Sequence, residues 1–369
     1  MRICYLTNSA IPSTVASSIQ IVKMCEAFSE LNNEVILITT NVSKKNQDLF
    51  DYYDVKFKFI FKKIKYFKTF PLGFRYYLFS VFSVFESLKH KPDIYITRNF
   101  FTCFLLVMFR KKIIMELHQD LNIESRIVNF LTKRLKFLNS KYVKKIVAIT
   151  EGVKNEYVKK NIILENKITV LPSGSSIKSK FNFSNKKKFF NIGYFGSLYK
   201  SRGLNLIKKL AKIDNKNQYH LYGDLYKINS FKFTNTSKNI HLHDHIPYKD
   251  IPKNLLKMDI LLMPYVSNVT IAGDVGDITK FTSPLKLFDY LSVGKIIMCS
   301  DLDILKEIIK DNKNAIFIKN FKNIFSWKKE IVKLSNQPQK QYIMSKNNHN
   351  LSKNYSLRER AKKIVKMIN

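Results

Sequence analysis

The stretch TSPLKLFDYLSVGK, Thr282–Lys295, places a lysine and a carboxylate one helical turn apart. Ser283 reads as a helix N-cap, Pro284 as the first helical residue and Gly294 as the exit. Lys286 then falls in the first turn, where the helix dipole is positive and a cation is unfavourable. A bound anion removes the conflict, because the lysine and the free N–H groups of the helix start would both face it. Asp289, three residues on, lies on the same face. A carboxylate does not contact a phosphate, but it accepts two hydroxyl hydrogen bonds and so suits a sugar diol. Lysine for a diphosphate and aspartate for a ribose together point to a nucleotide. The competing reading is a Lys286–Asp289 surface pair worth about 0.2–0.5 kcal/mol, with its sign order against the dipole. That reading leaves the lysine unexplained.

Two other stretches carry chemistry. NIGYFG reads as a strand ending at Gly196, and SLYKSRG, from Ser197 to Gly203, is a small-residue turn with basic side chains before a helix. Such a turn can cradle phosphate, although lysines on such turns are often simply solvated. In HLHDH, His241, His243 and His245 alternate, which puts all three on one strand face at a spacing that a metal could use. No further ligand cluster joins them, so no metal is expected.

These residues need elements to hold them. Short apolar runs (RICYLT, EVILIT, DIYITR, KIIMEL, KKIVAIT and KITVLP) alternate with helical patterns such as SSIQIVKMCEAFSEL, capped by Ser17 or Ser18. Strands alternating with helices imply right-handed βαβ units and a parallel sheet. Leu171–Lys188, rich in Ser, Lys and Asn, reads as a linker. The pattern then restarts with FFNIGYFGS, QYHLYGD, DILLMPY and KIIMCSD, and YSLRERAKKIVKMI is an amphipathic helix. The fold class is therefore α/β, with two doubly wound domains, and the cleft between two such domains is the default ligand site.

A chain of 369 residues is long enough for two cores, and its 64 Lys+Arg against 28 Asp+Glu give a formal charge of +36. That balance favours anionic partners, or else reflects a composition biased as a whole toward a few residue types. Cys4, Cys25, Cys103 and Cys299 lack metal or redox spacing and read as buried thiols of a reducing compartment. The opening MRICYLTN runs straight into a strand, so no signal peptide is expected. The longest apolar run, Phe100–Phe109, is too short to span a bilayer. The expected location is cytoplasmic, at most peripheral on the inner face of the plasma membrane.

DILLMPY…GDVGDITKFTSPLKLFDYLSVGKIIMCSD, GYFGSLYKSRGLNLI and YSLRERAKKIV resemble the retaining glycosyltransferases of family 4, which have the GT-B fold. The resemblance extends to IQIVKMCEAFSELNNEVILIT, MELHQD and VAITEGVKNEYVKK…KITVLPSG, and so covers most of the chain. It implies an acceptor-side domain over residues 1–175, a nucleotide-sugar domain over 186–345, and a C-terminal helix, about 355–369, packing back on the first. It implies that Asp289 holds the ribose, that Arg202 contacts the diphosphate and that His118 lies near the transferred sugar. Leu285 and Lys286 would offer backbone N–H groups to the distal phosphate, with Gly196, Ser197 and Ser283 lining the same donor site. Gly174 matches a structural glycine at the domain crossing. The implied reaction is transfer with retained configuration, the departing diphosphate stabilised by Arg202, Lys286 and the helix start without a metal or other cofactor.

The chain departs from the family pattern at several places. Its ribose residue is Asp, one methylene shorter than Glu. The other motif glutamate is Phe281, which leaves Asp274 or Asp277 as candidates to reach in. Ser197 stands where an arginine often lies, a charge that Lys286 would replace, and Ser17 and Ser18 replace a glycine pair. Lys56–Phe79 interleaves basic and aromatic residues, either as a surface for an anionic bilayer or as a helix pair packed on the first domain. A lipid-linked or glycan acceptor in bacterial envelope synthesis is the leading acceptor class. The alternatives are a GT-B sugar-nucleotide 2-epimerase, against which the SPLKLFDY signature argues, and a basic nucleic-acid-binding protein. No nucleic-acid-binding module is recognisable, so no nucleic-acid partner is expected.

Overall fold

Runs such as Val35–Ile38 and Ile296–Cys299 are apolar at every position and buried throughout. This is the pattern of strands covered on both faces of a parallel sheet. In the computed structural model, which describes residues 1–40, 48–65, 69–183, 189–198, 202–225, 237–265, 281 and 283–368, these runs build two all-parallel sheets. The chain divides into two units. Unit 1 is Met1–Ser173, Phe281–Ser283 and Leu357–Asn369; unit 2 is Gly174–Lys280 and Pro284–Ser356.

Unit 1 contains β1 (Arg2–Ala10), β2 (Glu34–Thr40), β3 (Ile60–Ile64), β4 (Ile94–Thr97), β5 (Ile113–Leu117), β6 (Val143–Ala148) and β7 (Ile168–Val170). Their order is β3-β2-β1-β4-β5-β6-β7, so the winding reverses between β1 and β4. Helices α1 (Ala16–Glu30) and α2 (Leu49–Tyr53) lie on one face with the C-terminal α13 (Leu357–Lys366). There Ile21, Phe28, Leu357, Ala361 and Ile364 share a core with Ile3 and Tyr5 of β1. The other face carries α3 (Leu72–Leu88), α4 (Phe100–Met108), α5 (Arg126–Leu135) and α6 (Glu151–Lys159). These bury Val84, Cys103, Val128 and Tyr157 against Cys4 and Leu6.

Two local expectations are corrected here. The N-cap of α1 is Val15, not Ser17 or Ser18. The Ser18 hydroxyl is turned inward, where it donates to Ala10 O at 3.0 Å and accepts from Ser13 Oγ at 2.9 Å. The basic–aromatic run Lys56–Phe79 is not a helix pair. Phe61, Lys62 and Lys63 lie on the edge strand β3, and Phe74, Tyr76, Tyr77 and Phe79 fall in α3.

Unit 2 contains β8 (Asn191–Phe195), β9 (Gln218–Tyr222), β10 (Ile240–His243), β11 (Ile260–Met263), β12 (Ile296–Ser300) and β13 (Ala315–Ile318), ordered β10-β9-β8-β11-β12-β13. Its helices are α7 (Leu204–Ile213), α8 (Ile251–Leu256), α9 (Leu285–Ser292), α10 (Asp303–Lys306), α11 (Ile324–Ser335) and α12 (Pro338–Ser352). Leu204 and Ile207 of α7 pack with Trp327 of α11 on one face of the sheet. Leu255 of α8 and Leu287, Tyr290 and Leu291 of α9 pack on the other. The winding reverses between β8 and β11, and ligands of such sheets bind outside the carboxyl ends of the strands at that point. All four cysteines are buried and unpaired. Among the described residues no helix is long and apolar enough to cross a membrane.

Candidate active site

Two basic residues of unit 2, Lys286 and Arg202, lie by the carboxyl ends of β8 and β11. Leu287, Phe288, Tyr290 and Leu291 are buried and fix the roll of α9, which leaves Lys286 on the strand-end side in its first turn. The cap differs from expectation. Pro284 is the N-cap and gives no side-chain cap, because the Ser283 hydroxyl instead accepts Ser173 N–H at 3.1 Å. Lys286 Nζ is shut off from solvent and has no hydrogen-bond partner among the described residues. It lies 3.9 Å from the centre of the Tyr194 ring and 5.8 Å from that of Tyr265. Arg202 Cζ lies over the same Tyr265 ring, at 5.3 Å. The two cations thus share one aromatic wall, an arrangement that the ring quadrupole favours but does not neutralise. Burial, and then the charge of Arg202, hold the Lys286 amine well below the usual lysine range.

Two glycines make this packing possible. Gly203, the residue before α7, has φ +78°, and a Cβ there would lie 1.8 Å from Pro264 O, so the backbone bearing Arg202 can press against the end of β11. Gly196 has φ +134°, and a Cβ would lie 2.9 Å from Lys286 Nζ. The neighbouring Ser197 is exposed, and its carbonyl accepts Tyr194 Oη–H at 2.7 Å.

Asp289 does not pair with Lys286. Its Oδ1 accepts the Ser175 hydroxyl at 2.6 Å. Burial pushes the carboxyl up to about 7 despite that hydrogen bond. Oδ2 is the oxygen left to accept from a ligand, so Asp289 presents less than the two free acceptors that the sequence reading assumed.

In unit 1, His118 follows β5 and stands beside a buried ionic network. Glu116 Oε1 accepts Arg360 Nη1 at 2.7 Å, from α13. Its Oε2 accepts Arg98 Nε at 3.1 Å and the Tyr5 hydroxyl, while Arg98 Nε also donates to Tyr5 Oη at 2.9 Å. Burial alone would raise the Glu116 carboxyl, but Arg360 and Arg98 outweigh it and hold it well below the usual range. His118 Nε2 lies 3.8 Å from Glu116 Oε2, beyond hydrogen-bond reach. Burial, reinforced by Arg98, pushes the imidazole down to about 4, so it is neutral near pH 7 and is a hydrogen-bonding group rather than a cation.

Other candidates separate from this picture. Phe281 packs against the unit 1 core and supplies no polar atom there. Asp274 and Asp277 lie outside the described residues. Of the three histidines, His241 and His243 lie on β10, but the strand ends before His245. Their rings instead join His220 of β9, whose Nδ1 is 3.1 Å from His243 Nε2. Among the described residues no group of three or more His, Cys, Asp or Glu is placed to hold a metal.

Sequence reasoning missed Tyr194, Tyr265, Ser175, Tyr5, Arg98, Glu116 and Arg360. The signal for Glu116 was present: a lone carboxylate inside the apolar run IIMEL demands a buried cation. Nothing in the sequence says that the cation comes from residue 360.

Two family models match the chain. Residues 175–351 match Glycosyl transferases group 1, and residues 18–177 match Glycosyltransferase Family 4. Solved structures share the fold over nearly the whole chain. Anabaena Alr3699/HepE, in complex with UDP and glucose, is 12% identical, covers 100% of this chain and 99% of its own, with a TM-score of 0.71. A glycosyltransferase from Rickettsia africae is 15% identical over 100% and 97%, with a TM-score of 0.69. WaaG, a glycosyltransferase involved in lipopolysaccharide biosynthesis, is 12% identical over 98% and 99%, with a TM-score of 0.67. No curated protein matches the sequence.

Proposed function

The chain belongs to the group 1, family 4 glycosyltransferases of the GT-B fold, and from that we propose that it transfers a hexose, with retained configuration, from a nucleotide sugar to a lipid-linked or polysaccharide acceptor of the bacterial cell surface. The observation that carries the donor reading is Lys286. A buried amine beside Arg202, with no acidic partner among the described residues, has the chemistry to receive an anionic group. In this reading the diphosphate lies against Lys286, Arg202 and the Leu285 and Lys286 N–H groups at the start of α9. Gly196, Ser197 and Ser283 line the approach, and Asp289 accepts from the ribose.

As the sugar leaves, negative charge builds on the distal phosphate. Arg202, the Lys286 amine in the charged form that the bound anion favours, and a helix N-terminus stabilise it, which is the role that a metal would otherwise fill. The leaving phosphate helps to deprotonate the acceptor on the same face of the sugar. Neutral His118 hydrogen-bonds a hydroxyl of the transferred sugar. The neighbours solved with UDP, UDP-glucose or glucose favour a nucleoside diphosphate sugar. WaaG, named for lipopolysaccharide biosynthesis, favours an envelope acceptor, and we assign the enzyme to the cytoplasm, peripheral on the membrane.

The test is a panel of nucleoside diphosphates in thermal-shift assays, followed by hydrolysis of the matching sugar donors and an NMR assignment of the released anomer. Stabilisation by one diphosphate, slow hydrolysis and a retained anomer are expected. No stabilisation by any member of the panel overturns the donor reading, and an inverted anomer overturns the mechanism.

A further inference from the structure

We propose that the outward face of α5, with the start of α3 beside it, docks unit 1 on an anionic lipid bilayer. Helix α5 turns Val128 and Thr132 inward and leaves Ile127 57% and Phe130 63% exposed. Ile123, one turn earlier, is 46% exposed. The Tyr77 and Ser125 hydroxyls lie 2.6 Å apart and tie α3 to the start of α5, which brings Phe74, 49% exposed, to the same side of the sheet. Large apolar side chains this exposed on neighbouring elements mark an interaction surface.

The charges around them choose the occupant. Arg126, Lys133 and Arg134 are exposed on α5, and the helix RIVNFLTKRL contains no acidic residue. The carboxylate nearest in sequence, Glu124, is half-buried and accepts from Gln119 at 3.0 Å. Apolar tips between cations match a leaflet of anionic headgroups over hydrocarbon. A second copy of this chain would bring an equally basic face against this one, which like-charge repulsion opposes. The surface deepens the peripheral-membrane part of the reading above. It does not depend on the sugar chemistry, so its failure leaves the donor site untouched.

Co-sedimentation with vesicles tests it. Vesicles of phosphatidylcholine alone are compared with equal parts phosphatidylcholine and phosphatidylglycerol. Binding is expected only to the second, and to fall as salt rises. Arg126→Gln/Lys133→Gln/Arg134→Gln should lower the partition coefficient about a hundredfold, at roughly fivefold per charge. Ile127→Ser/Phe130→Ser should lower it by about tenfold or more. A control that removes as many exposed charges from unit 2, Lys209→Gln/Lys212→Gln/Lys216→Gln, should change it by less than about threefold. In Phe130→Trp, vesicles with brominated acyl chains should quench the new indole. Equal losses in the two charge triples would mean diffuse attraction and overturn the proposal. So would binding to neutral vesicles alone, an introduced indole that stays unquenched, or a dimer in ultracentrifugation that Phe130→Ser dissociates. Unchanged circular dichroism shows that each variant is folded, as exposed positions allow.

Discussion

Replacing Lys286 by methionine removes an amine for which no counter-ion lies among the described residues, and puts an apolar side chain of similar length beside Tyr194. Ligand-free protein should keep its stability or gain some. The folded amine has its pKa held well below the ordinary value by burial and Arg202, whereas the unfolded lysine keeps the ordinary one. Between those two values the unfolded chain binds more protons, so stability rises with pH across that window; below it, the charged amine is a full burden on the fold. Methionine carries no such burden, so the melting temperature should hold or rise by about a few degrees. Nucleotide binding should move the other way. A charge-assisted hydrogen bond to phosphate contributes about 1.5–3 kcal/mol, so Kd for the nucleoside diphosphate should weaken roughly 10- to 150-fold. Binding should also draw a proton onto the wild-type amine, because an adjacent anion restores its charged form. Titration calorimetry in two buffers of different ionisation enthalpy, repeated across a series of pH values below the ordinary lysine range, reads that proton: an uptake in wild type, and less in Lys286→Met. Unchanged affinity together with identical buffer dependence would refute the role given to Lys286.

Three further outcomes follow from the site. The Asp289 carboxyl is raised to about 7 from an ordinary 3.8, so the folded state holds the extra proton across that window and stability falls as pH rises through it. Affinity for a nucleotide sugar should rise over about one unit either side of that value as the acceptor ionises, and Asp289→Asn should flatten both profiles in calorimetry and thermal melts. Chelation by EDTA should leave donor hydrolysis unchanged, and a loss restored by Mg²⁺ or Mn²⁺ would contradict metal-independent transfer. Arg360→Met should destabilise unit 1 by about 3–5 kcal/mol, because it strips one partner from a buried carboxylate. Adding Glu116→Gln should recover much of that loss, with hydrogen exchange in β5 as the readout.

The sequence was most informative where one element carries its own reason. Runs such as EVILIT state a buried parallel strand, and the lysine at the start of α9 stood out as a local conflict, because each pattern is local. It was least informative where a side chain has a choice of partners from distant segments. Ser283 looks like a cap, yet it serves Ser173 N–H across 110 residues. Asp289 looks like half of an i,i+3 pair, yet it takes the hydroxyl of Ser175, 114 residues earlier. β3 escaped notice because its pattern KKIK carries edge-strand lysines rather than an apolar run. The histidine ladder shows the same limit: the alternation in HLHDH was legible, but the third ring comes from β9.

The placement of α13 bears on how the chain is made. Leu357, Ala361 and Ile364 complete the core of unit 1, and Arg360 supplies one of the two cations around Glu116, yet all of them follow unit 2 in the sequence. On the ribosome, the first half emerges early but cannot close. One face of its sheet lacks its last helix and its central carboxylate is short of a partner until unit 2 has been synthesised. Unit 2, continuous apart from three residues, can form while unit 1 waits. A stop between the end of unit 2 and Leu357 would therefore spare unit 2 and cost unit 1 its last helix and Glu116 one of its two cations.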